Sequence, residues 1–198
     1  MKRIILRVRK KHQIELSSSQ LSNKKLEDFI LSQKEWIVKQ HLAVKEPFLE
    51  GASFYYLCCA YTIRHHTLPL KIRGDTVYLN PSNAKHQSDR FYKKKAQEFL
   101  PSRVEFWKNT MGLEFKSLRF YCARRRWGSC NSNGVITLNP YTMKLSQEMI
   151  DYVVVHELAH LKQMNHSAAF YSIVQTYIPE YKRIQKEITA LSAKMITE

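Results

Sequence analysis

Ser146-Gln-Glu-Met-Ile-Asp-Tyr-Val-Val-Val-His-Glu-Leu-Ala-His160, continued by Leu161-Lys-Gln-Met-Asn-His-Ser167, is the stretch on which the reading of this chain turns. Ser146, with Glu148 and Asp151 downstream, signals a helix start. Ile150, Val153, Val154, Leu158 and Leu161 then recur at helical spacing, so one face can enter a core while the rest lines a cleft. The β-branched run Val153-Val154-Val155 sits inside that periodicity and reads as buried helix. His156 and His160 are four residues apart, which on a helix means about 40° of azimuth and one turn of rise. Both imidazoles can therefore meet one ion at about 2.0–2.1 Å. Glu157, displaced by about 100°, approaches a water on that ion without crowding the ligand positions.

A third ligand needs the chain to turn. On a straight helix His166 would stand about 15 Å from His156, too far to share an ion. For His166 to bind, the helix must end near Gln163 or Met164, with Asn165 as a turn residue that tolerates left-handed backbone. Ser167 then caps a following helix that begins Ala168-Ala-Phe170. The alternative third ligand is Glu180 or Glu187 on that later helical stretch. His12, His41, His65, His66 and His86 have no partner at ligand spacing and read as surface or structural.

Working outward, residues 114–138 have strand character around the turn Asn131-Ser-Asn-Gly134. A long helix is expected from about Ser88 to Thr110, with a kink or break at Pro101. Residues 53–80 read as short antiparallel strands with a turn at Gly74-Asp75. Residues 21–42 read as one amphipathic helix, and residues 3–16 as a strand or hairpin. The fold class is α+β: a compact catalytic domain over 84–198, its H-E-x-x-H helix against a small antiparallel sheet, after a β-rich N-terminal region over 1–83.

Composition narrows the partners. Lys and Arg number 32 against 17 acids, a formal charge of +15. Such a field suits polyanions, so nucleic acid or nucleotide joins peptide or protein as an expected partner. The opening Met1-Lys-Arg-Ile-Ile-Leu-Arg-Val-Arg-Lys10 holds only a three-residue apolar run, too short for a signal-peptide core, and no membrane span is present. The expected location is the cytoplasm. Cys58, Cys59, Cys122 and Cys130 form no C-x-x-C pair and are expected as reduced thiols.

Arg124-Arg-Arg-Trp-Gly-Ser-Cys130, Ile136-Thr-Leu-Asn139, Asp151-Tyr-Val-Val-Val-His-Glu-Leu-Ala-His160 and Asn165-His-Ser167 together resemble the YgjP-like metallopeptidase family, which is related to SprT-like peptidases. The similarity spans most of the chain, strongest from about 120 to 172. It is looser at Lys34-Glu-Trp-Ile37 and Phe48-Leu-Glu-Gly51. It implies a zincin-type fold and one zinc, with His156, His160 and His166 at ligand positions and Glu157 as the catalytic glutamate. It also implies that the strand with Trp127, Gly128, Ser129 and Cys130 borders the cleft. The histidine spacing is also that of H-E-x-x-H-x-x-G-x-x-H metzincins, with Gln163 in place of their glycine.

Around this site Gly128 either allows close approach of a substrate backbone, the reading favoured here, or marks a bulge. Arg124, Arg125 and Arg126 alternate faces, so one or two can point inward to a carboxylate or phosphate. Arg126, Trp127, Gly128 and Ser129 are the expected substrate-binding residues, and Tyr171 is a candidate for stabilising an oxyanion. The expected activity is zinc-dependent peptide hydrolysis with Glu157 as general base. Two alternatives stay open: hydrolysis of a nucleoside triphosphate on the same site, and nucleic-acid binding with a vestigial metal site. No P-loop is present to support a dedicated nucleotide fold.

Overall fold

The computed structural model describes residues 5–10, 13–17, 23–43, 48–123 and 126–195, and the chain divides into two compact units, Met1–Pro47 and Phe48–Glu198. In the first unit, β1 (Ile5–Lys10) and β2 (Gln13–Ser17) form an antiparallel hairpin with an irregularity between Val8 and Lys10. The single helix expected over 21–42 is two helices, α1 (Asn23–Ser32) and α2 (Lys34–Ala43). The break falls at Gln33, beside Ser32, whose hydroxyl donates to the Phe29 carbonyl at 2.7 Å and competes with the backbone ladder.

The second unit opens with β3 (Ser53–Tyr56), β4 (Cys59–His65), β5 (Lys71–Arg73) and β6 (Thr76–Leu79), in the sheet order β3-β4-β6-β5. The expected antiparallel pairing holds for β3–β4 and β5–β6, whereas β4 and β6 run parallel. The segment after His65 carries β5 to the outer edge, and the turn at Gly74 returns β6 between β5 and β4. Leu57 and Cys58 make the β3–β4 turn with positive φ of 47° and 63°, a hairpin geometry that favours Asn and Gly. Their N–H groups donate to the carbonyls of Met143 and Lys144 at 2.8 and 3.1 Å. Those bonds offset a backbone cost of roughly 1 kcal/mol or more per residue.

Next comes α3 (Ala84–Met111), which buries every fourth residue from Ala84 through Ser88, Tyr92, Ala96 and Leu100 to Val104. The helix is continuous through Pro101, which lies off that row. Proline removes one ladder donor there, but burial of the row on both sides outweighs the local loss. Then β7 (Ser117–Phe120), β8 (Gly128–Cys130) and β9 (Val135–Leu138) form a sheet in the order β7-β9-β8. It is mixed, with β8–β9 antiparallel as expected and β7–β9 parallel. Ile136 and Leu138 of β9 are buried in the core.

The helices α4 (Gln147–Ala159), α5 (Ala168–Tyr177) and α6 (Tyr181–Met195) complete the α+β unit. Ser146 caps α4 by accepting from the Met149 N–H, and Ser167 caps α5 by accepting from the Phe170 N–H. Nearly all of α4 is buried, the valine run included, because α3, α5, α6 and β8 surround it. Arg103 of α3 grips Asp151 of α4 in a two-pronged ion pair, Nε to Oδ1 at 2.7 Å and Nη2 to Oδ2 at 2.8 Å. Asp151→Ala leaves that largely buried guanidinium unpaired. The expected loss is about 3 kcal/mol, read as a lower urea midpoint with an unchanged slope. Among the described residues no helix is long and apolar enough to cross a membrane, and the four cysteines are free.

Candidate metal centre

The end of α4 builds the centre. Ala159 is its last residue, His160 follows in right-handed backbone geometry, and the Gln163 N–H still donates to the Ala159 carbonyl at 3.0 Å, so the chain turns away near the expected Gln163. The turn back uses no left-handed residue at Asn165. Instead the Gln163 side-chain amide donates to the side-chain oxygen Oδ1 of Asn165 and, at 3.3 Å, to the Ser167 hydroxyl. Gln163, standing where metzincins carry glycine, thus braces the turn with its side chain.

This turn brings His166 onto His156 and His160. One ring nitrogen from each lies within 4.8 Å of the others, a cluster able to hold a metal ion. The Nε2 atoms of His156 and His166 face each other at 3.0 Å. His160 Nδ1 lies 3.2 Å from the Gln163 carbonyl, so the proton sits on Nδ1 and Nε2 keeps its lone pair. Burial, with the other two histidines adding to it, pushes His156 down to about 3, and burial also lowers His160. Neutral imidazoles with lone pairs turned toward one another fit a borderline cation. His156 Nδ1 is sealed without a partner, which leaves that ring's open valence at Nε2, inside the cluster.

Phe170 orders the three rings. It is fully buried at the start of α5, with centroids 4.9, 4.6 and 4.8 Å from His156, His160 and His166. From sequence it reads as an ordinary core residue; only the Ser167 cap, which fixes where α5 begins, hints that it faces the histidines. Glu180 and Glu187, the alternative ligands, engage Arg183, which also binds Glu148 at the start of α4.

The cluster opens into a cleft of about 470 Å³ whose other wall is β8 with Arg126 and Trp127. Asn139 sets that wall by donating from its side-chain amide to the Ala123 and Arg126 carbonyls at 2.8 and 3.0 Å. The expected substrate residues Arg126, Trp127, Gly128 and Ser129 all border the cleft, and so does Cys130, whose thiol burial pushes up to about 11. Arg126 is exposed; Arg124 and Arg125 lie outside the described residues. Trp127 is buried and donates from Nε1 to the Ser192 hydroxyl at 2.9 Å, tying β8 to α6.

Glu157 lies against β8. A Cβ added at Gly128 would stand 2.7 Å from its Cγ and Oε1 and 2.9 Å from its Cδ. Gly128 therefore gives room to the Glu157 side chain, where the sequence suggested room for a substrate. Burial pushes the Glu157 carboxyl up to about 8, against the pull of the Arg126 charge. The third wall is α6, through Gln185, Ile188 and Thr189. With Ser192 these form an i, i+3, i+4, i+7 stripe, a pattern that marks a helix face without saying what the face meets. Tyr152 and Val153 also line the cleft and read from sequence as core.

An α+β protein with three imidazoles poised for a metal ion beside a buried carboxyl defines the class. The chain belongs to the YgjP-like metallopeptidase domain family, whose model matches residues 2–190. Family membership places it among the metallopeptidases, hydrolases that act on peptides. Similar solved structures include the metallopeptidase zymogen of Pyrococcus abyssi abylysin, at 28% identity and a TM-score of 0.43. The zymogen of Methanocaldococcus jannaschii jannalysin is similar at 21% and 0.41; each match covers 46% of this chain and 93% of the other. Curated protein sequences gave no match.

Proposed function

We propose that this chain is a zinc-dependent peptidase in which His156, His160 and His166 hold the ion and Glu157 is the general base. The observation that carries the reading is the meeting of three ring nitrogens within 4.8 Å beside a buried carboxyl on an open cleft. Three imidazoles favour zinc among the borderline metals. The bound ion supplies Lewis-acid polarisation of the scissile carbonyl and makes water a stronger acid.

Glu157 makes no hydrogen bond among the described residues, so its carboxylate is free to work on a ligand in the cleft. It accepts a proton from the water that attacks the carbonyl carbon. It then passes that proton to the amine nitrogen as the C–N bond breaks. An extended peptide suits β8, which is an edge strand of its sheet. The backbone bonds Asn139 N to Trp127 O and Asn131 N to Val135 O assign alternate residues to the β9 ladder. The N–H and C=O groups of Gly128 and Cys130 then point to the open edge, ready for strand addition. Arg126, charged and in no salt bridge with a described carboxylate, suits an acidic group on the substrate.

The test presents zinc-loaded protein with an unfolded-protein and peptide library beside a panel of nucleoside triphosphates, with and without DNA. Peptide cleavage that chelation abolishes and zinc restores is the expected result. Release of phosphate or pyrophosphate with peptides untouched would replace the peptidase reading by phosphoanhydride hydrolysis.

A further inference from the structure

Peptide hydrolysis at this centre builds negative charge on the carbonyl oxygen, and a fixed donor aimed at that oxygen accelerates the step. Glu157 is occupied as base, and the three imidazoles as ligands. Tyr171, the tyrosine expected from sequence in the donor role, stacks on Tyr181 with centroids 5.5 Å apart and lies 6.1 Å from His166. It does not border the cleft. Tyr152 does.

Tyr152 lies one turn before His156 and two before His160 on the same stripe of α4, its ring centroid 5.8 Å from that of His156. At 6% exposure the side chain is held firmly. Yet its hydroxyl makes no hydrogen bond among the described residues. The sealed, unpartnered side-chain atoms there are Trp107 Nε1 and His156 Nδ1, and the Tyr152 hydroxyl is not one of them. The hydroxyl is neither paired with a described residue nor sealed, the ring lines the cleft, and the titratable side chains that act on it are Tyr171, Tyr181 and Glu157. Ile188 of α6 and Val153 of α4, both buried, give that end of the cleft apolar walls, which strengthen any hydrogen bond made there.

We propose that Tyr152 is a further catalytic residue, donating a hydrogen bond from its hydroxyl to the substrate carbonyl oxygen as that oxygen takes on charge. The proposal rests on the peptidase reading. Tyr152→Phe removes only the hydroxyl, which makes no hydrogen bond among the described residues, so the fold should be kept. Peptide kcat should fall about 100-fold with KM within about threefold and zinc content unchanged. Affinity for a phosphinic peptide, a tetrahedral mimic whose oxygen stands for the charged carbonyl oxygen, should weaken by a similar factor in calorimetry. Tyr171→Phe should alter neither quantity.

Wild-type kcat and phosphinic-peptide affinity in Tyr152→Phe would overturn the proposal and leave the peptidase reading standing. A rise in KM alone would also overturn it, because the hydroxyl would then serve ground-state binding. A wild-type protein that holds zinc but neither cleaves peptides nor binds the phosphinic peptide would overturn both.

Discussion

Glu157→Gln is expected to lower peptide hydrolysis by about a thousandfold or more while zinc content stays that of the wild type. General-base catalysis contributes about 10²–10⁴, and here the same carboxyl is asked both to take the water's proton and to deliver it to the leaving amine. Glutamine keeps the shape of the side chain and its place against Gly128, so the three imidazoles are undisturbed. It has no basic oxygen for a proton. Zinc measured by mass spectrometry beside single-turnover cleavage separates the two functions, and full turnover by the variant would remove Glu157 from the mechanism.

The same substitution has a second readout that needs no activity. In the metal-free protein, burial raises the Glu157 carboxyl from an ordinary 4.5 to about 8. Between those values the folded protein keeps a proton that the unfolded chain has released. Stability therefore falls as pH rises through that window, and levels off above about 8. Glutamine exchanges no proton. Metal-free Glu157→Gln should then melt higher than metal-free wild type at pH 8, by the equivalent of a few kcal/mol at most, and the two should converge near pH 4. Identical melting curves at pH 8 would mean the carboxyl is solvated in a way its burial contradicts.

Much of the site is legible in sequence because helix geometry is arithmetic. Four residues bring His156 and His160 to one side, and ten force a turn before His166 can join them. Ser146 and Ser167 are capping residues with a defined chemistry, and both cap where expected. The legible part ends where tertiary packing decides. Gln163 shows no mark in sequence of a side chain that braces a turn. Phe170 and Tyr152 carry the signature of core residues, since burial under a site and burial in a core leave the same apolar pattern. The stripe Gln185, Ile188, Thr189 and Ser192 announces a helix face, but its meeting with Trp127 depends on where α6 docks. Pro101 was expected to interrupt α3, yet a buried row running from Ala84 to Val104 prevails over one lost bond. Parallel pairing of β4 with β6 and of β7 with β9 is likewise a matter of chain path, which strand patterns do not record.

Gly128→Ala should approach the loss seen on removing the Glu157 carboxyl, about a hundred- to thousandfold in kcat, with metal retained. The added methyl would overlap Cγ, Oε1 and Cδ of Glu157 at 2.7–2.9 Å. One of the two must move, and Gly128 is the less free. It pairs with Leu138 in the sheet, and the residue before it, Trp127, bonds to both Asn139 and Ser192. The Glu157 backbone is equally fixed inside α4, so the displacement falls on the side chain, which is 6% exposed and has little room to swing except toward solvent. The φ of Gly128 is not positive, so alanine suits the backbone and the loss reports the contact alone. Two further readouts distinguish a displaced base from a damaged fold. KM should change little, as the edge of β8 is intact. The metal-free variant should lose the pH-dependent destabilisation between 4.5 and 8, because a carboxyl pushed toward water returns to its ordinary value. Wild-type kcat in Gly128→Ala would show that the base works from a position other than the one against β8, and would move the search for its productive conformation to the opposite side of the cleft, beside α6.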